Sequence, residues 1–191
     1  MIKAYARTDK GNVRENNEDY FYISNSLDEV QLYLLADGMG GYNGGEIASK
    51  LAVQTAKNYI ENNFKDIEKD KDSIIQLLGS SMEYANMVVY EKSKETPELQ
   101  GMGTTLEICL IYNNKAYIGH VGDSRIYRVR KQFIRKLTQD HSYVQKLVKE
   151  GTITKEQAEH HPQKNMLMKA LGCNAFVEPD VMVKGFLKDD I

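Results

Sequence analysis

The order of the predicted secondary-structure elements limits the folds open to this chain more than any other feature. Strand-like segments rich in aromatic and aliphatic residues come first, in KAYART, DYFYIS and VQLYLLAD. Two helical patterns follow over about residues 45–62 and 73–94, and strands return from about residue 104. Parallel sheets need strands that alternate with helices. We therefore expect an α+β fold in which helices cover antiparallel sheets.

Local signals refine this outline. The spacing of the second helix predicts that its inner face is formed by Ile74, Leu77, Leu78, Ser81, Ala85 and Val88, with Val89 at the margin. Asn113 and Asn114 predict a hairpin, because asparagine tolerates the left-handed turn conformation. Further along, SYVQKLVKEG predicts a short helix closed by Gly151, and Thr154 with Gln157 predicts a capping box that opens another.

Composition and charge exclude several classes of protein. The 191 residues show no interdomain linker, so we expect a single domain over residues 1–191. A net charge of -2 and the lack of a basic cluster with interleaved aromatics argue against nucleic acid. The first residues, MIKAYARTDKG, lack the apolar core of a signal peptide, and no apolar run is long enough to span a membrane. Cys109 and Cys173 form no disulfide framework. We expect a cytoplasmic protein without nucleic-acid or membrane partners.

The stretch LYLLADGMGGYNGGEIAS places a carboxylate and many glycines between a strand and a helix. It is not a P-loop, because Glu46 follows Gly45 where that motif needs lysine, nor a dinucleotide fingerprint, because position 43 is Asn43. Asp37 at the strand end, with the carbonyl of Gly38 beside it, suits a hard cation such as magnesium or manganese. The alternative is a glycine-rich turn with a capping aspartate, and this stretch alone favours neither.

Two further acidic segments bear on that choice. VRENNEDYFY holds Arg14, Glu18 and Asp19 just ahead of a strand, and HVGDSRIYRV holds Asp123 between two strands. Taken singly, the first is most simply a solvated turn, and Asp123 most simply fixes a turn.

Together these segments resemble one family closely, the metal-dependent protein serine/threonine phosphatases of type 2C in their compact bacterial form. The family's motifs occur in order as TDKGNVRENNEDYFYI, LLADGMGGYNGGEIAS, GMGTTLEICLI, AYIGHVGDSRIYRV and LTQDHSYVQKLVKEGTITKEQAEHHPQKNMLMKALG. The resemblance spans nearly the whole chain and is weakest at about residues 60–100. It implies two antiparallel β-sheets packed as a central sandwich flanked by helices, in four α-β-β-α layers.

The resemblance also implies a site at one end of the sandwich. Asp37 would bridge two manganese or magnesium ions, one of them also bound by the Gly38 carbonyl, while Glu18 and Asp19 would hold metal-bound waters. Arg14 would bind the substrate phosphate, and Asp123 would contribute to a third, weaker metal position. Water activated by the two metals would attack phosphorus directly. Residues from about 140 to 165 would form a flap. The implied partners are phosphorylated protein substrates, among them a serine/threonine kinase and its targets.

The sequence departs from the family pattern in two respects. Met39 stands where some members carry histidine as a candidate general acid, although bacterial relatives commonly have methionine there. The family's later Ser-Asp-Gly turn and Asp-Asn pair, which complete the metal cage, do not occur, so we expect the C-terminal strands to be missing and this chain to be weak or inactive. The alternative is a non-catalytic, phosphatase-like regulatory or binding domain.

Other acids and the histidines receive structural interpretations. We expect Asp180, Asp189 and Asp190 to be surface acids. His120 is expected in the core or behind the site, and His141 is expected to order a turn. His160 and His161 are adjacent on a helical pattern and so point in different directions, which argues against a metal ion shared by the two side chains.

Overall fold

The computed structural model describes residues 2–25, 30–40 and 44–191. In chain order the strands and helices are β1 (Asp19–Ile23), β2 (Gln31–Met39), α1 (Gly44–Asn63), α2 (Lys71–Glu95), β3 (Gly103–Thr104), β4 (Leu106–Tyr112), β5 (Lys115–Val121), β6 (Tyr127–Arg130), β7 (Phe133–Lys136), α3 (Tyr143–Lys149), α4 (Lys155–Glu159) and β8 (Asp180–Gly185). The main sheet runs β1-β2-β4-β5-β8, with the short β3 also paired to β2, and all of its pairs are antiparallel.

One face of this sheet carries the hydrophobic core. Residues of a strand alternate between its two faces, and in β2 the buried Leu32, Leu34 and Ala36 belong to the same core cluster as the inner faces of α1 and α2. The two long helices pack against each other and against this face. The other face of β2 carries Leu35 and Asp37, which are both only partly shielded from solvent.

The outer face of the sheet is covered only in part. Strands β6 and β7 form a separate two-stranded antiparallel sheet. A cavity of about 750 Å³ lies between the N-terminal residues 2–8, the main sheet and the C-terminal Phe186, Asp190 and Ile191, and it is lined mainly by apolar groups. The expected α+β class with antiparallel sheets is confirmed. Within the described ranges, no helix is both long and apolar enough to cross a membrane.

Most local predictions agree with the structure. The helices extend one or two residues beyond their predicted bounds. The capping box of Thr154 and Gln157 forms, and Asn113 and Asn114 take φ angles of 47° and 58° in the β4–β5 hairpin. Two predictions are wrong. KAYART is not a strand, because it pairs with no neighbour in the described structure, and a strand needs a ladder of hydrogen bonds. On α2 it is Val89 that is fully buried while Val88 is only partly buried, because Val89 follows the buried Ala85 by four residues and so lies on the same face of the helix.

The surface interpretation of the last acids is also wrong in part. Asp190 accepts two hydrogen bonds from Arg130, at 2.6 and 2.7 Å, and its side chain is only 1% exposed. Asp180 is partly exposed but lies within ion-pair distance of His141 and Lys169. These partners are distant in sequence, and the local pattern around each aspartate does not indicate them.

Candidate active site

Two aspartates face each other at the end of the main sheet. Asp19 on β1 pairs with Asp37 on β2, and the amide of Gly38 donates a 3.0 Å hydrogen bond to the carbonyl of Glu18 one step further along. Glu18 and Gly38 therefore form a hydrogen-bonded pair. Hydrogen-bonded and non-hydrogen-bonded pairs alternate along an antiparallel ladder, so Asp19 and Asp37 form a non-hydrogen-bonded pair, the type in which the two side chains lie closest together. Like charges placed directly opposite each other destabilise a sheet. The strand register therefore builds a site that favours a cation.

The electrostatics of Asp37 support the same conclusion. Partial burial raises the pKa of Asp37, and the negative charges of Asp19, Asp123 and Glu18 raise it further, while the positive charge of Arg14 acts to lower it. A carboxyl group surrounded mostly by other carboxylates is short of positive charge. The elements that carry these groups are β1 with the segment before it, β2, and the turn after β5.

The glycines beside Asp37 are required by close packing. A Cβ atom at Gly38 would overlap the backbone of Gly45, and a Cβ atom at Gly45 would overlap the carboxylate of Glu18. The first turn of α1 therefore lies directly against the end of β2. Because a helix N-terminus carries partial positive charge, this contact also favours the carboxylate of Glu18.

Hydroxyl groups fix the backbone of Asp37. The Asp37 amide donates to Oγ1 of the buried Thr105 at 2.9 Å, and the Asp37 carbonyl accepts from the amide of Thr105 and from Oγ1 of Thr104. The Thr105 hydroxyl also lies 2.9 Å from the hydroxyl of Ser124, the residue after Asp123. The side chain of Thr105 thus connects the backbone of Asp37 with the turn that carries Asp123. Sequence reasoning missed it, since only the β2–β4 register shows the contact.

Residues ahead of β1 hold the remaining predicted groups. Arg14 donates a 2.9 Å hydrogen bond to Glu18, with 62% of the arginine side chain exposed. Oγ1 of Thr8 donates to Asp19 at 2.9 Å and accepts from the side chain of Asn17 at 2.7 Å. Thr8 and Asn17 carried no signal in the sequence, because short polar residues in a turn are common.

The structure thus brings the six predicted site residues to one end of the sheet. They are Arg14, Glu18, Asp19, Asp37, Gly38 and Asp123. Over residues 2–25, 30–40 and 44–191 there is no cluster of three or more His, Cys, Asp or Glu side chains close enough to hold a metal ion by themselves. Mg²⁺ sites typically keep several water ligands beside one or two carboxylates.

Comparison with known proteins decides the family. The family model described as "Protein phosphatase 2C" matches residues 10–177. The chain belongs to the protein phosphatase 2C family. All six site residues lie inside the matched range. A curated relative, the serine/threonine phosphatase stp of Listeria monocytogenes, is 35% identical over 189 residues, which cover 99% of this chain and 74% of that protein.

Solved structures of the family agree with this assignment. The serine/threonine phosphatase of S. agalactiae matches with a TM-score of 0.86 and 37% identity, over 96% of this chain and 74% of that one. The catalytic domain of PstP, solved in complex with two manganese ions, matches with a TM-score of 0.79 and 33% identity, over 96% of this chain and 72% of that domain. The chain is accordingly a metal-dependent serine/threonine phosphatase of this family.

Proposed function

We propose that the acidic end of the main sheet is where this phosphatase binds two metal ions and hydrolyses phosphoserine and phosphothreonine in proteins. The observation that carries the proposal is the direct pairing of Asp19 with Asp37 in the β1–β2 ladder. The donor set consists of carboxylate and carbonyl oxygens, which suits manganese or magnesium. When bound, the ions supply Lewis-acid activation of a water molecule and neutralise charge on the phosphate.

The residues at the site fit this metal. Asp37 and the carbonyl of Gly38 would bind the ions directly, and Glu18 and Asp19 would hold water molecules bound to them. The raised pKa of Asp37, caused by partial burial and by the neighbouring acids, marks a group that a cation would stabilise in its charged form. The rigid backbone contacts to Thr104 and Thr105 keep the Asp37 carboxylate in one place.

Arg14 would bind the phosphate of the substrate. A guanidinium group has five N–H donors in a planar fork that matches phosphate oxygens. The hydrogen bond to Glu18 uses one of these donors and holds the side chain beside the acids, while most of the group stays exposed to solvent. Arg14 is therefore oriented before the substrate arrives, which lowers the entropic cost of binding.

Two finer assignments belong to the same proposal. Asp123 would contribute to a third metal position, since its charge acts on Asp37 from the turn after β5. Residues 140–165, which contain α3 and α4, would form a flap that contacts the protein substrate, and residues 1–191 would belong to a single phosphatase domain. The substrates are phosphoproteins, and we propose a serine/threonine kinase and its targets among them.

The proposal is tested by hydrolysis of a phosphothreonine peptide by this chain with and without Mn²⁺. We expect weak hydrolysis that requires the metal and that falls by roughly 100-fold or more in Asp37→Asn, because direct ligands matter at least as much as the groups behind them. Arg14→Lys should raise KM more than it lowers kcat, with Arg7→Lys as the matched control. Hydrolysis that persists in Asp37→Asn, or that ignores Mn²⁺, would overturn the proposal.

A further inference from the structure

Two stacked histidines lie behind the turn that carries Asp123. His120 is on β5 and His141 follows β7, and their ring centroids are 4.5 Å apart with an angle of 32° between the planes. Both nitrogens of each ring have a hydrogen-bond or ion-pair partner. The reaction proposed above uses neither side chain. Their partners define where the protons lie.

The inner ring belongs to a buried pair that shares a proton. Nε2 of His120 is 2.8 Å from the carbonyl oxygen of Gln139, which only accepts, so Nε2 carries a hydrogen. Nδ1 is 2.6 Å from Oε1 of Glu107. Oε2 of Glu107 is buried with no partner in the described part of the chain, which disfavours the ionised form. Burial raises the pKa of Glu107 to about 7, against the effect of His120, so the pair retains a proton near neutral pH.

The outer ring is held in one neutral tautomer. The amide of Gly122 donates to Nδ1 of His141 at 3.2 Å, so this nitrogen has no hydrogen. Nε2 lies 3.2 Å from Oδ2 of Asp180 and must be the donor to that carboxylate. Burial lowers the pKa of His141, and the positive charges of His120 and Lys169 act in the same direction, while Asp180 opposes them. The acceptor nitrogen therefore remains available.

The contact between His141 and Gly122 is reciprocal. The amide of His141 donates a 2.7 Å hydrogen bond to the carbonyl of Gly122, while its side chain accepts from the Gly122 amide. Gly122 has a φ angle of 117°, and a Cβ atom there would overlap the side chain of Thr105. The turn is thus held between His141 on one side and Thr105 on the other, and Asp123 is the next residue.

We propose that His141, itself oriented by Asp180, is a positioning residue for Asp123. As a neutral imidazole with its hydrogen on Nε2, it binds the Gly122 amide and fixes the direction in which the following carboxylate leaves the turn. The inference rests on the metal-binding role proposed for Asp123. Substitution of a group that orients a metal ligand commonly lowers the metal affinity by about 10- to 100-fold.

Two substitutions separate the functions of the ring nitrogens. The oxygen of an asparagine side chain lies about where Nδ1 of histidine does, whereas the end of a glutamine side chain lies about where Nε2 does. His141→Asn should therefore keep the acceptor for Gly122 and lose the donor to Asp180. His141→Gln should do the reverse. A purely structural role predicts that the larger glutamine is tolerated better than asparagine, which is the opposite order.

The first measurement requires no metal. Nitrogen-15 NMR of the histidine-labelled chain should show His141 with an unprotonated Nδ1 and a hydrogen on Nε2, with the assignment made by loss of the signal in His141→Asn. Hydrogen exchange at the Gly122 amide should become about tenfold faster in His141→Gln and change little in His141→Asn. A charged His141 at neutral pH, or equal exchange in both variants, would overturn the inference.

The second measurement follows Mn²⁺ binding through broadening of amide signals around Asp123, with Asp123→Asn as the control for the metal role. We expect His141→Gln to weaken this binding about tenfold and His141→Asn to retain most of the wild-type affinity. If Asp123→Asn has no effect, the metal role of Asp123 fails, and the exchange experiment alone decides the positioning role. If Asp123→Asn abolishes binding while His141→Gln equals wild type, the positioning role fails and the metal role stands.

Discussion

The two faces of the main sheet are built from the same strands and differ in almost every physical respect. The inner face, under α1 and α2, consists of fully buried apolar side chains such as Leu34, Leu106 and Ile108. The outer face carries opposed aspartates, a buried Glu107–His120 pair and a large cavity. The comparison shows that one face supplies the stability that allows the other to hold repelling charges, since strain at a site is tolerated when its surroundings overdetermine it.

The largest expected effect concerns the packing of the two faces. Ile108 and Ile111 are both on β4, but Ile108 is fully buried under the helices and Ile111 lines the cavity on the other face. Ile108→Ala should lower the free energy of unfolding by about 2–5 kcal/mol. Ile111→Ala should cost about 1 kcal/mol or less, because its side chain is only partly removed from water. Urea unfolding of both variants tests this, and equal losses would contradict the comparison.

An intermediate effect is expected where the strands support the site. Thr105→Val keeps the shape of the side chain but leaves the Asp37 amide without its acceptor, which should cost about 1–3 kcal/mol. Phosphatase activity should fall as well, because the Asp37 backbone is no longer fixed. Thr105→Ser keeps the hydroxyl and serves as the control. A valine variant with unchanged stability and activity would show that the hydroxyl does not support the site.

The smallest effect is a change in pH dependence. The folded state raises the pKa of Glu107 through burial, and it raises the pKa of His120 because hydrogen bonds to Glu107 and Gln139 outweigh burial. The contribution of Glu107 to stability is therefore full below about pH 4.5, its ordinary value, and is lost as pH rises through about 7, and the raised pKa of His120 acts in the same direction. Glu107→Gln should flatten the decline in unfolding free energy between these values.

Denaturant unfolding across that range measures the slope. Glu83→Gln, at an exposed position of α2, is the matched control and should keep the wild-type slope. If Glu107→Gln keeps it too, the buried pair does not hold the extra proton that the geometry indicates.

Whether a feature of the fold or the site could be predicted from the sequence depends on how far apart in the chain the interacting residues are. Helix bounds and the capping box of Thr154 depend on neighbours within a few residues. Hydrophobic periodicity predicted the helices, and the spacing of Thr154 and Gln157 predicted the capping box. The acidic site was expected through a resemblance to a family, since no short motif by itself decided between a metal site and an ordinary turn. Thr105, Glu107 and the contact of His141 with Gly122 depend on strand register and on the return of the chain after β7, which local patterns do not contain.

The wrong predictions have the same cause. KAYART has strand composition, but composition does not supply a neighbouring strand. Asp190 looked like a surface acid because its partner, Arg130, is 60 residues away in sequence.

The central claim is that the Asp19–Asp37 pair is a repulsion held in place for a cation. Thermal unfolding of wild type and Asp37→Asn, each with and without Mn²⁺, tests it most directly, with the exposed Asp189→Asn as control. Without metal, Asp37→Asn should have a Tm equal to or above that of wild type, because one of two opposed charges is gone. With Mn²⁺, the Tm of wild type and of Asp189→Asn should rise, and that of Asp37→Asn should not. A destabilised metal-free Asp37→Asn, or a wild type indifferent to Mn²⁺, would contradict the account.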